Sequence, residues 1–129
     1  MRKLGIRPNG RIVALNAPPH YPQLLEGLPE GATITARLSK GAIFIHLFAT
    51  KRADLEKRLV VLRAKLADAG MLWVSWPKKS AGVESDITED VIRAVALPLG
   101  YVDVKVCAVD ETWSGLKLMI RRENRKSGD

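Results

Sequence analysis

Residues 42–77, AIFIHLFATKRADLEKRLVVLRAKLADAGMLWVSWP, decide the fold, because the hydrophobic period changes twice within them. Ala42 to Ala49 is almost wholly apolar, as in a strand that is covered on both faces. Lys51 to Ala69 carries leucines at spacings of four, three and four residues, which predicts an amphipathic helix. Met71 to Trp76 is apolar again and stops at a proline. The stretch therefore predicts an alternating α/β arrangement with strands on either side of a helix.

Two predicted helices carry residues that commonly start and stop helices. Thr50 stands at the N-cap of the first, and Gly70 is suited to the left-handed conformation that ends it. Thr88 caps the second helix, which Pro98 and Gly100 close. Both helices therefore have defined ends in the sequence.

Shorter elements are predicted on both sides of this unit. Ile12 to Leu15 forms a strand, a short helix runs from Pro22 to Glu26, and Ala32 to Leu38 alternates as a strand does. Tyr101 to Ala108 alternates like a half-exposed edge strand, and Leu116 to Ile120 forms the last strand after a turn.

The turn Ser39-Lys40-Gly41 limits how the strand that begins near Thr33 can run, because parallel neighbours need a crossover of about a dozen residues. Either this strand is very short and lies at the sheet edge beside the Ile12 strand, or it is antiparallel. We favour the first arrangement.

The order of elements resembles the second half of a class I S-adenosylmethionine-dependent methyltransferase. LADAGMLWVSWP, residues 66–77, is similar to the strand that follows the substrate-side helix of that fold. GYVDVKVCAVDETWSGLKLMIRR, residues 100–122, is similar to its terminal antiparallel hairpin. The resemblance implies one Rossmann-like, three-layer domain over residues 1–129, with a mainly parallel sheet of about six strands and an antiparallel C-terminal hairpin.

A second resemblance concerns two short motifs. MLWVSWPKKSAG and DETWSGLK resemble a family of small bacterial proteins that is classed as a domain of unknown function. It implies a bacterial origin but no activity.

The residues argue against the usual cofactor of the methyltransferase fold. That family binds S-adenosylmethionine with a glycine-rich turn after the first strand, where this chain has Asn16-Ala17-Pro18-Pro19. The family also places an acidic residue at the end of the second strand, where this chain has Arg37-Leu38-Ser39-Lys40. We therefore predict no cofactor.

Composition excludes several classes of protein. A chain of 129 residues is about one domain, and no apolar run reaches the roughly 20 residues of a membrane helix. The single cysteine, Cys107, forms no internal disulfide, so we expect a cytoplasmic protein. Clusters of Cys and His that would bind a metal are absent from the sequence.

The net charge of +7 is concentrated at the chain ends. The first eleven residues contribute +4 and the last nine contribute +2, which leaves +1 for the body of the chain. We interpret about 1–5 and 123–129 as short basic tails. Nucleic-acid surfaces instead carry a basic stripe across a folded face, so we do not expect nucleic acid as a partner.

A ligand site, if present, is predicted where two loops follow central parallel strands, because ligands of such sheets bind at the carboxyl ends of the strands. Residues 16–20 and 76–80 form these loops, and His46 belongs to the strand between them. Apolar walls and several donors suit a small anionic ligand. The candidate ligand-binding residues are Asn16, Pro18, His20, His46, Trp76, Lys78, Lys79 and Ser80.

The same residues have plain structural interpretations. His46 is also consistent with a hydrogen-bonded core residue, and Lys78 to Ser80 with an exposed polar loop. Three functions therefore stay open. The first is a non-catalytic binding or regulatory module, with a protein partner or a small ligand. The others are an enzyme or binder of a small anion, and a nucleic-acid-associated protein that uses its tails. No catalytic residue is assigned.

Overall fold

A six-stranded sheet organises the part of the chain that the structure describes, which is residues 5–6, 8–21 and 29–121 of a computed structural model. Neighbouring strands follow the order β2-β1-β3-β4-β6-β5. The strands are β1 (Arg11–Leu15), β2 (Thr33–Thr35), β3 (Ala42–Phe48), β4 (Leu66–Pro77), β5 (Tyr101–Ala108) and β6 (Trp113–Ile120).

The strand directions are those of the methyltransferase-like arrangement. β2, β1, β3 and β4 run parallel to one another, whereas β6 is antiparallel to both β4 and β5. This confirms the mainly parallel sheet with an antiparallel C-terminal hairpin. The carboxyl ends of β1, β3 and β4 consequently lie at one edge of the sheet.

Two α-helices lie on the same face of the sheet. Helix α1 (Arg52–Lys65) buries Leu55, Leu59 and Leu62 there, and helix α2 (Glu89–Ala96) buries three further apolar side chains. Short 3-10 turns follow β4 at Lys79–Ala81 and α2 at Leu97–Leu99. The buried faces pack with inward residues of β3, β4 and β6 into what we call the helix-face cluster.

The opposite side of the sheet carries a second apolar cluster, which we call the second-face cluster. Its buried members are Ile6, Ile12, Ala14, Tyr21, Phe44, Phe48, Trp73 and Val109. Trp73 belongs to this cluster and Trp76 to the helix-face cluster, because residues three apart on a strand point to opposite faces. The predicted third layer depends on the helix from Pro22 to Glu26, which lies outside the described residues.

The strand that begins near Thr33 has the direction and place that we favoured. β2 is three residues long, lies at the edge and runs parallel to β1. Ile34 and Phe44 are both level with Ile12. Because β2 is so short, the chain has little distance to return before β3 starts. Leu38, in the connection, packs against the helix-face cluster, so the chain crosses β1 on that side.

The predicted ends of the first helix were wrong. Thr50 does not cap α1, whose N-cap is Lys51, and the Lys51 side chain makes no capping hydrogen bond. The helix ends at Lys65 rather than Ala69, and residues 66–70 belong to β4 instead. The leucine spacing does not reveal this change. Leu66 is buried, and it would be buried whether it continued the helix or began a strand.

Gly70 therefore has a different role from the predicted helix stop. It lies in β4, where an added Cβ would come within 2.9 Å of the carbonyl oxygen of Ala42. A glycine is needed here for the close approach of two backbones, not for a left-handed turn.

Two strand boundaries also differ from the predicted ones. The alternating stretch Ala32 to Leu38 forms a strand only over Thr33–Thr35, and the last strand starts at Trp113 rather than Leu116. The basic tails fall almost entirely outside the described residues.

The cap of α2 gives a first test. The hydroxyl of Thr88 accepts a hydrogen bond from the backbone N–H of Val91 at 3.2 Å. We expect Thr88→Ala to lower the free energy of unfolding by about 1 kcal/mol, measured by urea denaturation.

Thr50→Ala is the matched control, since the Thr50 side chain caps no helix. We expect a change within about 0.5 kcal/mol for it. Equal losses in the two variants would contradict the assignment of the caps.

Candidate functional site

A crevice of about 390 Å³ opens at the carboxyl ends of β1 and β3. From β1 the chain continues to β2 on one side, whereas from β3 it continues to β4 on the other side. The two connections therefore diverge between β1 and β3. Open α/β sheets bind ligands at such a point. We call it the switch-point crevice; it is lined by Asn16, Phe48, Ala49, Thr50, Lys51, Asp54 and Trp113.

Asn16 makes the turn after β1 without a glycine. Its φ is 57°, in the left-handed region that asparagine tolerates better than most other residues. The side-chain carbonyl of Asn16 accepts a hydrogen bond from Nη2 of Arg58 at 3.5 Å, which ties this turn to α1. The missing glycine therefore does not prevent a tight turn at the end of the first strand.

Two aromatic rings form the floor of the crevice. Phe48 and Trp113 meet edge to face, with ring centroids 5.0 Å apart and ring planes at 90°. Beneath them, the imidazole of His46 stacks on Phe48 at 4.3 Å, and Tyr21 meets Phe48 edge to face at 5.5 Å. The floor therefore rests on a packed aromatic group in the second-face cluster.

His46 lies beneath the crevice floor rather than on its lining. It is fully buried, with Nδ1 3.0 Å from the hydroxyl of Tyr21 and Nε2 2.7 Å from the hydroxyl of Ser75. Both ring nitrogens are thus paired in either tautomer. Burial lowers the pKa of His46 from 6.5 to about 3, so the imidazole is neutral near pH 7. The alternation of β3 directs this side chain to the second face, between Phe44 and Phe48.

The two loops predicted to face each other converge on the turn between β5 and β6. Nε2 of His20 lies 3.6 Å from the carboxylate of Asp110, and Nζ of Lys78 donates to the backbone carbonyl of Asp110 at 2.6 Å. The Asp110 carboxylate also accepts the backbone N–H of Trp113 at 2.7 Å. Lys78 therefore holds the hairpin turn beside the crevice.

The remaining predicted residues lie away from the crevice lining. The carbonyl of Pro18 accepts the backbone N–H of Tyr21 at 3.0 Å and closes the loop. Trp76 is buried in the helix-face cluster, while Lys79 and Ser80 are exposed at the start of a 3-10 turn. Of the eight predicted residues, Asn16 is the one that lines the crevice.

Sequence reasoning missed most of the lining. Thr50, Lys51 and Asp54 follow directly after β3, the strand that the pattern placed in the centre of the sheet. The rule that led to residues 16–20 and 76–80 also applies to the end of β3, but Thr50 had been assigned to a helix cap. Trp113 lies far along the chain, and only the register of β6 places it at this crevice.

The charges around the crevice are unevenly paired. The Asp54 carboxylate lies 3.2 Å from Nε of Arg58, one turn further along α1. The carboxylate of Asp86 accepts the backbone N–H of Arg52 at 2.6 Å, at the start of the same helix. Among the described residues, none forms an ion pair with the ammonium group of Lys51.

The described residues show neither a cluster of metal ligands nor a membrane-spanning helix. No three His, Cys, Asp or Glu side chains converge as a metal site would require, within 5–6, 8–21 and 29–121. Over that same part of the chain, every helix is too short or too polar to cross a membrane.

A larger groove, of about 880 Å³, lies at the opposite, amino edge of β1, β3 and β4. Much of its lining is backbone and small side chains, with Arg11, Lys40 and Asp68 among the charged ones. Parallel sheets bind ligands at the carboxyl edge, so position favours the smaller crevice.

Comparisons with known proteins identify the scaffold. No protein-family model matches the chain, and no curated protein matches it, so the resemblance of the motifs MLWVSWPKKSAG and DETWSGLK to a small bacterial family stays a prediction. Among solved structures, the chain is similar to a candidate exported protein from Bordetella parapertussis, with a TM-score of 0.59 and 11% identity over 90% of this chain and 63% of that one.

Two further structures have the same fold. A candidate type 11 methyltransferase from Sulfolobus solfataricus matches with a TM-score of 0.50 and 11% identity over 85% of this chain and 70% of that one. LepI in complex with SAM matches with a TM-score of 0.54 and 13% identity over 92% of this chain but only 38% of LepI. At these identities the likeness concerns the fold, which is a methyltransferase-like, Rossmann-like sheet.

The buried imidazole generates a second prediction. Below pH 6.5 the unfolded chain takes up a proton at His46, whereas the folded chain does so only near pH 3. The stability from the neutral imidazole is therefore complete above pH 6.5 and is lost as the pH falls. Between pH 6.5 and 5 we expect the free energy of unfolding to fall with a slope approaching about 1.4 kcal/mol per pH unit.

His46→Gln should remove most of this slope, whatever its effect on stability at pH 7. His20→Gln is the control, because it removes the other histidine of the chain, whose side chain is half exposed. The same slope in the wild type and in the His46 variant would show that other groups cause it.

Proposed function

We propose that this protein is a non-catalytic module on a methyltransferase-like scaffold that binds a small ligand in the switch-point crevice. The observation that carries the proposal is the position of this crevice, between strands from which the chain diverges. Its volume lies within the range of small-molecule sites, which run from roughly 300 to 1,000 Å³. An aromatic floor with a few polar groups at the rim is the usual composition of such sites.

We propose no catalytic role because of where the reactive side chains lie. A general base must come within hydrogen-bond reach of the substrate. His46 and Ser75 are fully buried beneath the floor, and the Asp54 carboxylate is paired with Arg58. Cys107 is half-buried against the second-face cluster and is not among the crevice residues. These placements favour binding over catalysis among the described residues.

The proposed ligand is not S-adenosylmethionine. Asn16 supplies the left-handed turn, but the prolines that follow remove two backbone N–H groups that a glycine-rich turn would offer. At the end of β2, the hydroxyl of Thr35 accepts the backbone N–H of Arg37, and no carboxylate follows β2 before β3 begins. SAM in the LepI structure is therefore a property of LepI that we do not transfer.

We expect isothermal titration calorimetry with S-adenosylmethionine to show no binding in the micromolar range. Micromolar binding would contradict the proposal, since it would mean that the turn at Asn16 still cradles that cofactor.

A blocking substitution tests the crevice itself. Thr50→Tyr places a phenol in the crevice, and Thr33→Tyr makes the same change on the exposed edge strand β2. A thermal-shift screen of small organic acids, nucleotides and cofactors should yield a ligand that raises the Tm of the wild type by a few degrees.

The same ligand should still raise the Tm of Thr33→Tyr and should fail to raise the Tm of Thr50→Tyr. A ligand that stabilises both variants equally binds elsewhere, and the proposed site would then be abandoned.

A further inference from the structure

We propose that the switch-point crevice takes a planar aromatic carboxylate, with its ring on the floor formed by Phe48 and Trp113 and its carboxylate at the ammonium group of Lys51. This inference rests on the proposed function and names the class of ligand for the same site. It moves the anion partner from Lys78 and Lys79, which the sequence suggested, to a lysine that follows β3.

The floor fits a flat ring. Trp113 is half-buried and offers the accessible ring surface, whereas Phe48 is buried and supports it in an edge-to-face contact. A ligand ring can stack on the Trp113 indole or meet it edge to face, which are the two favoured arrangements of aromatic pairs.

The floor is also held in place before a ligand arrives. His46 stacks on the inner side of Phe48, and Tyr21 contacts its edge. The backbone carbonyl of Trp113 accepts the N–H of Val109 at 2.9 Å, and its own N–H is bonded to the Asp110 carboxylate. A ligand therefore does not have to order these rings, which improves affinity.

The rim favours a negative charge near Lys51. Asp54 forms an ion pair with Arg58, and the carboxylate of Asp86, which keeps its charge, accepts the backbone N–H of Arg52. Lys51 is exposed and has no partner of its own among the described residues. The carbonyl of Asn16 accepts from Arg58, which leaves the amide N–H groups of Asn16 as donors on the same crevice. A ligand carboxylate can accept hydrogen bonds from the ammonium group of Lys51 and from the side-chain amide of Asn16.

Naphthalene-2-carboxylate and its uncharged carboxamide are the probes. Binding is followed by calorimetry and by the indole N–H resonances of the three tryptophans, of which Trp73 and Trp76 are buried and serve as internal references. We expect the carboxylate to shift the Trp113 resonance and to bind about fivefold more tightly than the carboxamide.

Lys51→Gln should weaken the carboxylate about fivefold and leave the carboxamide unchanged. Lys79→Gln is the matched control, because Lys79 is exposed and does not line the crevice, and it should change neither affinity by more than about twofold. Both positions are exposed, so both variants should fold.

Two results would overturn the inference. If the carboxylate and the carboxamide bind equally and Thr50→Tyr abolishes both, the proposed role of the ligand charge is refuted. The proposed function would still stand. Failure of both probes to shift Trp113 at millimolar concentration would refute the aromatic carboxylate altogether. The proposed function would then be decided separately, by whether any ligand from the thermal-shift screen loses its effect in Thr50→Tyr.

Discussion

The stack of His46 on Phe48 supports the surface on which the switch-point crevice rests. The imidazole is joined to Tyr21 in the loop after β1 and to Ser75 in β4, so it links three parts of the chain at one buried point. A buried polar group is costly unless it is paired, and here both ring nitrogens are paired. Loss of either partner would leave an unsatisfied nitrogen below the floor, which connects the stability of this group to the shape of the crevice.

The parallel order β1-β3-β4 brings Tyr21, His46 and Ser75 together. His46 is level with Ala14 and Trp73 on the neighbouring strands, so the side chains on the second face form one continuous aromatic and polar layer. The antiparallel hairpin then places Trp113 beside the end of β4, where it meets Phe48. The floor consequently depends on strands that are far apart in the sequence, and its rings lie where a methyltransferase-like sheet leaves its carboxyl edge open.

Residues whose environment is local could be predicted from the sequence. Thr88 is predicted as a cap because its partner is three residues away, and strand alternation alone accounts for Trp73 and Trp76 lying on opposite faces. Leu66 was misassigned because a buried leucine fits both periods, and only the pairing with Ala42 in β3 decides that it begins a strand. The lining of the crevice could be predicted least, since it combines the ends of β1 and β3 with Trp113 of the hairpin.

A crystallographic screen of small fragments tests the central claim most directly, because it reports where ligands bind without assuming their chemistry. We expect fragments to collect in the switch-point crevice, with aromatic rings against Trp113, and the Tyr21–His46–Ser75 group to be unchanged beneath them. Fragments that bind repeatedly in the groove at the amino edge of β1, β3 and β4, while the crevice stays empty, would contradict it.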